Sequence, residues 1–313
     1  MQPANAALEW DNLMREGRFA DAWAVSDRVL AGAMPQDSRR PRHEQIVWTG
    51  TPFKGKRVLV RCYHGLGDTI QFVRFARLLR KIAAEVTVWG QAALLPLLAQ
   101  VDGVDQVEPI SDGAPLTPHD VDIEIMELAH ALRTEPGAVT SSKPYIRPVA
   151  PCPAGARRTL EGCGTALRVG VVWRGSDWDR GRDISPALLA RLAEIPNVRL
   201  FSFQPDSRDE TQSLGAVDFG HLNIAEIASV LPEIDLMIGA DTMLVHLAGA
   251  MARPVWTLLP EPCDWRWMHA RSDTPWYPTM RLFRQEEPGN WTGTIENVTR
   301  RATLQAKTRK RVR

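Results

Sequence analysis

The chain is poor in several things at once, and each shortage removes a class of protein. Its 313 residues hold four cysteines, Cys62, Cys152, Cys163 and Cys263, and no two form a CxxC pair. That spacing gives neither a zinc site nor a redox motif, and a reduced cytoplasmic protein is the simplest fit. The formal net charge is only +1, so no global field points to nucleic acid. No apolar run approaches the ~20 residues of a membrane-spanning helix. The opening MQPANAALEWDNLM lacks a basic stretch followed by an apolar core, so no secretory signal is expected. The glycine-rich turn at Gly65-Leu66-Gly67-Asp68 lacks the third glycine of a dinucleotide fingerprint. What remains, 44% hydrophobic and 24% charged residues, is the composition of a globular protein long enough for two domains.

The stretch Ile234–Pro260 organises the rest. Ile234–Ile238 is a β-prone run, and Gly239-Ala240-Asp241-Thr242 breaks it with residues that start helices. Leu244, Leu247, Ala248 and Met251 then recur at helical spacing, Arg253-Pro254 stops the helix, and Val255–Leu259 is a second strand. Such a βαβ unit implies parallel strands and a right-handed crossover. Thr242 and His246, four apart, share the face away from the apolar stripe, with Gly249 near it. Two readings stand: a phosphate held at the helix start by Asp241, Thr242 and His246, or a capped helix with a surface histidine.

Residues 4–32 read as two helices about Glu16-Gly17-Arg18, with Leu8, Leu13, Phe19, Ala22, Trp23, Val29 and Leu30 in an apolar seam. The pair is similar to one tetratricopeptide unit of about 34 residues, or is a plain hairpin; either must pack against something else. Lys56–Tyr63 is a strand, the turn His64–Asp68 follows, and a helix is expected from about Thr69 to Ala84. Strands at 85–89, 106–110 and 120–126 and a helix at 92–100 continue the pattern. Pro144, Pro148, Pro151 and Pro153 mark an interdomain linker. A second β/α run starts at Leu167–Trp173, passes an arginine-bearing loop with Arg174, Arg180 and Arg182, and includes helices at 186–194 and 224–231, the latter capped by Asn223. Trp265, Trp267, Trp276 and Tyr277 crowd one loop, suited to stacking on a base or sugar or to a rigid structural turn. The tail 300–313 has seven Lys or Arg and no acid, which reads as a frayed, solvated end or, at most, a peripheral contact with an anionic membrane.

These motifs together resemble glycosyltransferase family 9, the heptosyltransferases, and more closely the glycosyltransferase domain that follows tetratricopeptide repeats in bacteria. The likeness rests on GLGDTIQF at 65–72, VWRG at 172–175 with its loop to Arg182-Asp183-Ile184-Ser185, Asp241 to Gly249, and the DWRW and SDTPWYP runs at 264–267 and 272–278. It implies an α/β, GT-B architecture: two Rossmann-like domains facing a cleft, behind a short helical hairpin. The expected division is hairpin and connector 1–47, acceptor domain 48–150, linker 151–166, nucleotide-sugar domain 167–299 and basic tail 300–313.

The resemblance further implies an inverting, metal-independent transfer from a nucleotide-diphosphate sugar, ADP-heptose in well-known members, to a hydroxyl on a glycan or protein. No cofactor is expected; the nucleotide-sugar enters as substrate. Asp68 maps to the general base. Arg174 and Arg182 face the diphosphate, with Asp241, Thr242 and His246 at the diphosphate and sugar. Gly65, Gly67 and Gln71 lie on the acceptor side, and Trp265 and Trp267 are candidates for base or sugar stacking. Residues 1–34 are expected to dock the acceptor, a partner or a second copy. The same architecture also serves nucleotide-sugar epimerases and non-catalytic partner proteins, the two alternatives.

Overall fold

The computed structural model describes residues 3–32, 41–135, 143–175 and 179–311. Part of the expected connector (33–40), part of the Pro-rich stretch (136–142), the tip of the arginine loop (176–178) and the last two residues lie outside the described residues. The described chain forms two compact units. Unit 1 is Met1–Ile146 with Asp264–Arg271; unit 2 is Arg147–Cys263 with Ser272–Arg313.

Unit 1 opens with the hairpin α1 (Pro3–Arg15) and α2 (Phe19–Ala31). Of the expected seam, Phe19, Ala22 and Trp23 are buried as expected, whereas Leu8 and Val29 are exposed, and Met14 and Val25 join the buried side. A four-stranded parallel sheet follows, built from β1 (Arg57–Arg61), β2 (Glu85–Gly90), β3 (Gln106–Pro109) and β4 (Val121–Glu124) in the order β3-β2-β1-β4. The expected helix 69–84 begins earlier and breaks. It is α3 (Leu66–Phe72), a 3-10 turn Val73–Phe75 and α4 (Ala76–Leu79). Further short helices are α5 (Leu95–Leu98) and α6 (Leu128–Ala131).

Unit 2 begins at Arg147, before the expected linker 151–166, and takes that segment in. Helix α7 (Ala154–Glu161) buries Ala156 and Leu160, an i, i+4 pair that the surrounding Pro, Gly and Arg disguise. Its six strands are β5 (Leu167–Val172), β6 (Val198–Ser202), β7 (Val217–Asp218), β8 (Leu236–Ala240), β9 (Val255–Leu259) and β10 (Met280–Arg284), parallel in the order β10-β9-β8-β5-β6-β7. This is the doubly wound dinucleotide-type order, with its switch between β5 and β8. The sheet is covered by α8 (Pro186–Ala193), α9 (Arg208–Ser213), α10 (Ile224–Val230), α11 (Met243–Ala250) and α12 (Thr292–Arg311). Asn223 caps α10 as expected: its side chain accepts from Glu226 N–H at 3.0 Å while Glu226 accepts from Asn223 N–H at 2.9 Å.

The tail is not frayed. Helix α12 runs to Arg311 because Ile295, Val298, Ala302 and Ala306 recur at helical spacing and enter the unit 2 core beside Leu189 and Leu192. The fold class is thus α/β, with two Rossmann-like parallel sheets and an N-terminal helical hairpin, as the family resemblance implied. The division differs from the expected one in giving Asp264–Arg271 to unit 1.

Candidate functional site

In an open parallel sheet, ligands bind outside the carboxyl ends of the strands where the order reverses. In unit 2 those ends are β5, running into Trp173-Arg174, and β8, running into Asp241-Thr242. Gln204 Oε1 fixes the first by accepting the backbone N–H groups of Trp173 at 3.1 Å and Arg174 at 2.9 Å. Arg182 crosses to the second: its Nη1 donates to the Asp241 carbonyl at 2.9 Å and its Nε to the Asp179 carbonyl at 3.2 Å. A Cβ at Gly175 would stand 3.1 Å from Arg182 Nε, so the guanidinium lies directly over this glycine. Arg174 behaves differently from expectation. Its guanidinium pairs with Glu210 at 3.0 Å, because α9 presents that acid beside it.

Thr242 occupies the N-cap of α11, yet its side chain makes no capping bond. Its hydroxyl is buried without a hydrogen-bond partner among the described residues. His246 is only 3% exposed, which overturns the surface-histidine reading. Its Nδ1 meets the Tyr277 hydroxyl at 2.9 Å, and its Nε2 lies 3.4 Å from Asp241 Oδ1. A Cβ at Gly249 would stand 2.6 Å from the Tyr277 ring, so the close approach this glycine permits is by the protein's own tyrosine. Both faces of α11 are therefore buried. His246 orients Asp241, while Arg182, Asp241 and Thr242 gather at the helix start.

In unit 1 the order reverses between β1 and β4. Gln91 holds the turn after β1 by donating from Nε2 to the carbonyls of His64 at 2.8 Å and Cys62 at 3.2 Å, and by accepting from Thr69 Oγ1 at 3.0 Å. Asp68 stands at the third residue of α3. Its Oδ2 accepts the Gly65 N–H at 3.0 Å, and its Oδ1 takes Arg266 Nη2 at 2.6 Å. A Cβ at Gly65 would stand 3.1 Å from Oδ2, so here too the glycine makes room for the carboxylate itself. Gln71 does not line a surface. It is fully buried, and its amide has no hydrogen-bond partner among the described residues.

The buried Glu124 and the half-buried Glu127 stand at the end of β4. Burial pushes Glu124 up to about 8, with the charges of Glu127 and Asp68 adding to it, and pushes Glu127 up to about 7. Glu124 Oε2 lies 3.8 Å from His64 Nε2 and accepts the Met126 N–H at 2.7 Å. Of the two tryptophans expected to stack on ligand, Trp267 is 1% exposed and belongs to the core. Trp265 packs edge-on to Trp10 at 5.1 Å and tilted against Phe72 at 6.3 Å. Arg266 belongs to the DWRW run, but the sequence gives it no role toward Asp68. It lies 198 residues from Asp68, and no local pattern signals such a pair. Among the described residues, no three His, Cys, Asp or Glu side chains gather as a metal site.

Residues 189–267, which include the start of α11 and the Trp265–Trp267 turn, match the model of glycosyltransferase family 9 (heptosyltransferase). Over that stretch the chain is similar to family 9. Two solved structures share its fold. E. coli ADP-heptose lipopolysaccharide heptosyltransferase II is 13% identical with a TM-score of 0.54, covering 80% of this chain and 99% of that one. TibC from enterotoxigenic E. coli H10407, an iron-containing dodecameric glycosyltransferase, is 14% identical with a TM-score of 0.56, covering 84% and 78%. By sequence, the chain is 23% identical to protein FlbA of Caulobacter vibrioides over 95% of its own length. It spans about half, 54%, of FlbA. Among the described residues, no helix is long and apolar enough to cross a membrane.

Proposed function

We propose that the chain transfers a sugar, with inversion and without a metal, from a nucleotide-diphosphate donor bound by unit 2 to a hydroxyl of a glycan or protein presented to Asp68. The observation that carries this reading is the start of α11, where the Arg182 guanidinium rests on the Asp241 carbonyl beside the buried Thr242 hydroxyl, which has no hydrogen-bond partner among the described residues. A departing nucleotide diphosphate gains negative charge, and a guanidinium with a helix N-terminus stabilises it without reorganising. The Thr242 hydroxyl offers that anion a donor which no described residue takes up. ADP-heptose is the first donor to try, since TibC has been seen in complex with ADP-D-β-D-heptose.

In the proposed reaction Asp68 accepts the acceptor's proton as the new glycosidic bond forms. A weak base suffices if the proton leaves late, once bond formation has acidified the hydroxyl. Four cysteines without a CxxC pair fit a cytoplasmic location. Residues 1–34 remain candidates for docking an acceptor or a second copy through the exposed Leu8 and Val29.

The test is a thermal-shift series with ADP-, GDP-, UDP- and dTDP-sugars, because a ligand specific to the folded state raises the midpoint. Arg182→Ala should weaken the effective donor by about 1.5–3 kcal/mol, the range for a charge-assisted hydrogen bond. An unchanged dissociation constant removes Arg182 from the site. No shift with any nucleotide-sugar rejects the proposed donor class.

A further inference from the structure

The hairpin α1–α2 and the segment Asp264–Arg271 are far apart in sequence, yet both lie in unit 1 with the Asp68 turn. Their contacts form a short chain. Trp10 of α1 meets Trp265 edge-on at 5.1 Å, and Trp265 meets Phe72, the last residue of the helix that carries Asp68, at 6.3 Å. Beside this stack, His269 N–H donates to the Arg15 carbonyl at the end of α1, at 3.1 Å. The turn between the two helices takes part as well: Gly17 has φ +75°, and a Cβ there would stand 3.7 Å from Met268 Sδ.

The segment needs such support. Met268 and Ala270 hold φ of 55° and 51°, left-handed values that non-glycine residues rarely adopt unless their surroundings impose them. The hairpin in turn is anchored to the rest of unit 1. Trp23 Nε1 donates to the Thr134 carbonyl at 2.9 Å, and Asp27 meets His130 at 2.8 Å and Arg133 at 2.6 Å. At the other end of the chain of contacts, Asp264 Oδ1 accepts the Arg266 N–H at 2.9 Å, which turns the Arg266 side chain onto Asp68.

We propose that the N-terminal hairpin is a positioning element of the candidate base: through Trp10 it holds Trp265 against Phe72 and so seats Arg266 on the Asp68 carboxylate. This rests on the reading of Asp68 as a base only for its effect on turnover, not for its effect on structure. Arg266 fixes one carboxylate oxygen and the Gly65 N–H the other, so the orientation of Asp68 is set from two sides. Losing the hairpin contact frees one side.

The experiment compares the full chain with Trp10→Ala, Trp10→Leu and Trp10→Phe by amide hydrogen exchange and by release of ADP from ADP-heptose with water as acceptor. Removing an edge-to-face aromatic pair corresponds to about 2- to 12-fold faster local opening. We expect that acceleration in both 264–271 and 64–72 for Trp10→Ala and Trp10→Leu, unchanged exchange in 236–250, and near-normal exchange for Trp10→Phe. We also expect kcat to fall several-fold while KM for the donor holds, because the donor belongs to unit 2. Faster exchange in 264–271 with none in 64–72 overturns the coupling, as does an unaltered kcat in an active enzyme. If Trp10→Ala does not fold, Trp10→Leu decides by the same criteria. If the wild-type chain releases no nucleotide diphosphate from any nucleotide-sugar, the transferase reading fails, and exchange in 64–72 still decides whether the hairpin positions Asp68.

Discussion

Replacing Asp68 by asparagine looks like a clean test of a base, since asparagine keeps the shape and loses the proton acceptor. The structure shows that the change also costs stability. Both carboxylate oxygens accept: Oδ2 from the Gly65 N–H at 3.0 Å, Oδ1 from Arg266 at 2.6 Å. An amide has one acceptor oxygen. Whichever contact asparagine keeps, its NH2 group faces a donor in the other. The side chains of Arg266 and Asp68 are 11% and 20% exposed, so the lost bond is partly shielded from water. The cost is about 1.5–3 kcal/mol, the range for a hydrogen bond to a charged group. For a body the size of unit 1 that lowers the melting midpoint by about 3–10 °C.

Arg266→Ala removes the same bond but leaves the carboxylate, and it serves as the control. Well below both melting points, kcat for ADP release should fall about 10²–10⁴-fold in Asp68→Asn. In Arg266→Ala, where only the seating is lost, it should fall by about tenfold or less, the range of a misplaced but intact group. Equal losses of kcat in the two variants would refute the base assignment and leave Asp68 as a structural anchor. Full activity in Asp68→Asn would refute it outright.

Two further expectations follow from buried groups. Gly249→Ala drives a Cβ to 2.6 Å from the Tyr277 ring, so it should destabilise unit 2 by about 1–3 kcal/mol, the usual cost of overpacking, and an unaltered thermal midpoint would contradict the contact. Glu124 and Glu127 stay protonated in the native state at pH values where the unfolded chain, near the ordinary value of 4.5, has lost those protons. The native state then binds more protons, so stability is full below about pH 4.5 and falls as pH rises to about 8. Melting midpoints measured across that window should decline, and Glu124→Gln should flatten the decline; an equal slope in the variant would count against a buried neutral Glu124.

The readable parts of the sequence were those with local periodicity. The βαβ unit at 236–259, the Asn223 cap and the hairpin lengths all follow from spacing and from cap residues a few positions apart. Burial from afar was not readable. Thr242 and His246 share a helical face that looks solvent-facing in sequence, but Tyr277 comes from beyond β9 to cover it. Trp267 was equally suited to ligand or core until its surroundings were known. The Arg-rich end of α12 hid an apolar stripe one residue wide. The Arg266–Asp68 pair joins residues 198 apart, and only the tertiary fold brings them together.

The course of the chain between β9 and β10 carries a lesson for anyone recombining this protein. After Cys263 the polypeptide leaves one compact unit, contributes Asp264–Arg271 to the other, and returns at Ser272. A swap of everything from Arg147 onward with a relative would export Arg266 and Trp265 along with unit 2, and the host's Asp68 would inherit a foreign neighbour. Fragments cut at the apparent boundary would each be incomplete: the first without its arginine, the second with the hydrophobic face of Trp267 uncovered. Modular exchange in this chain therefore needs three crossover points, after Ile146 and on either side of the eight-residue insert, rather than one.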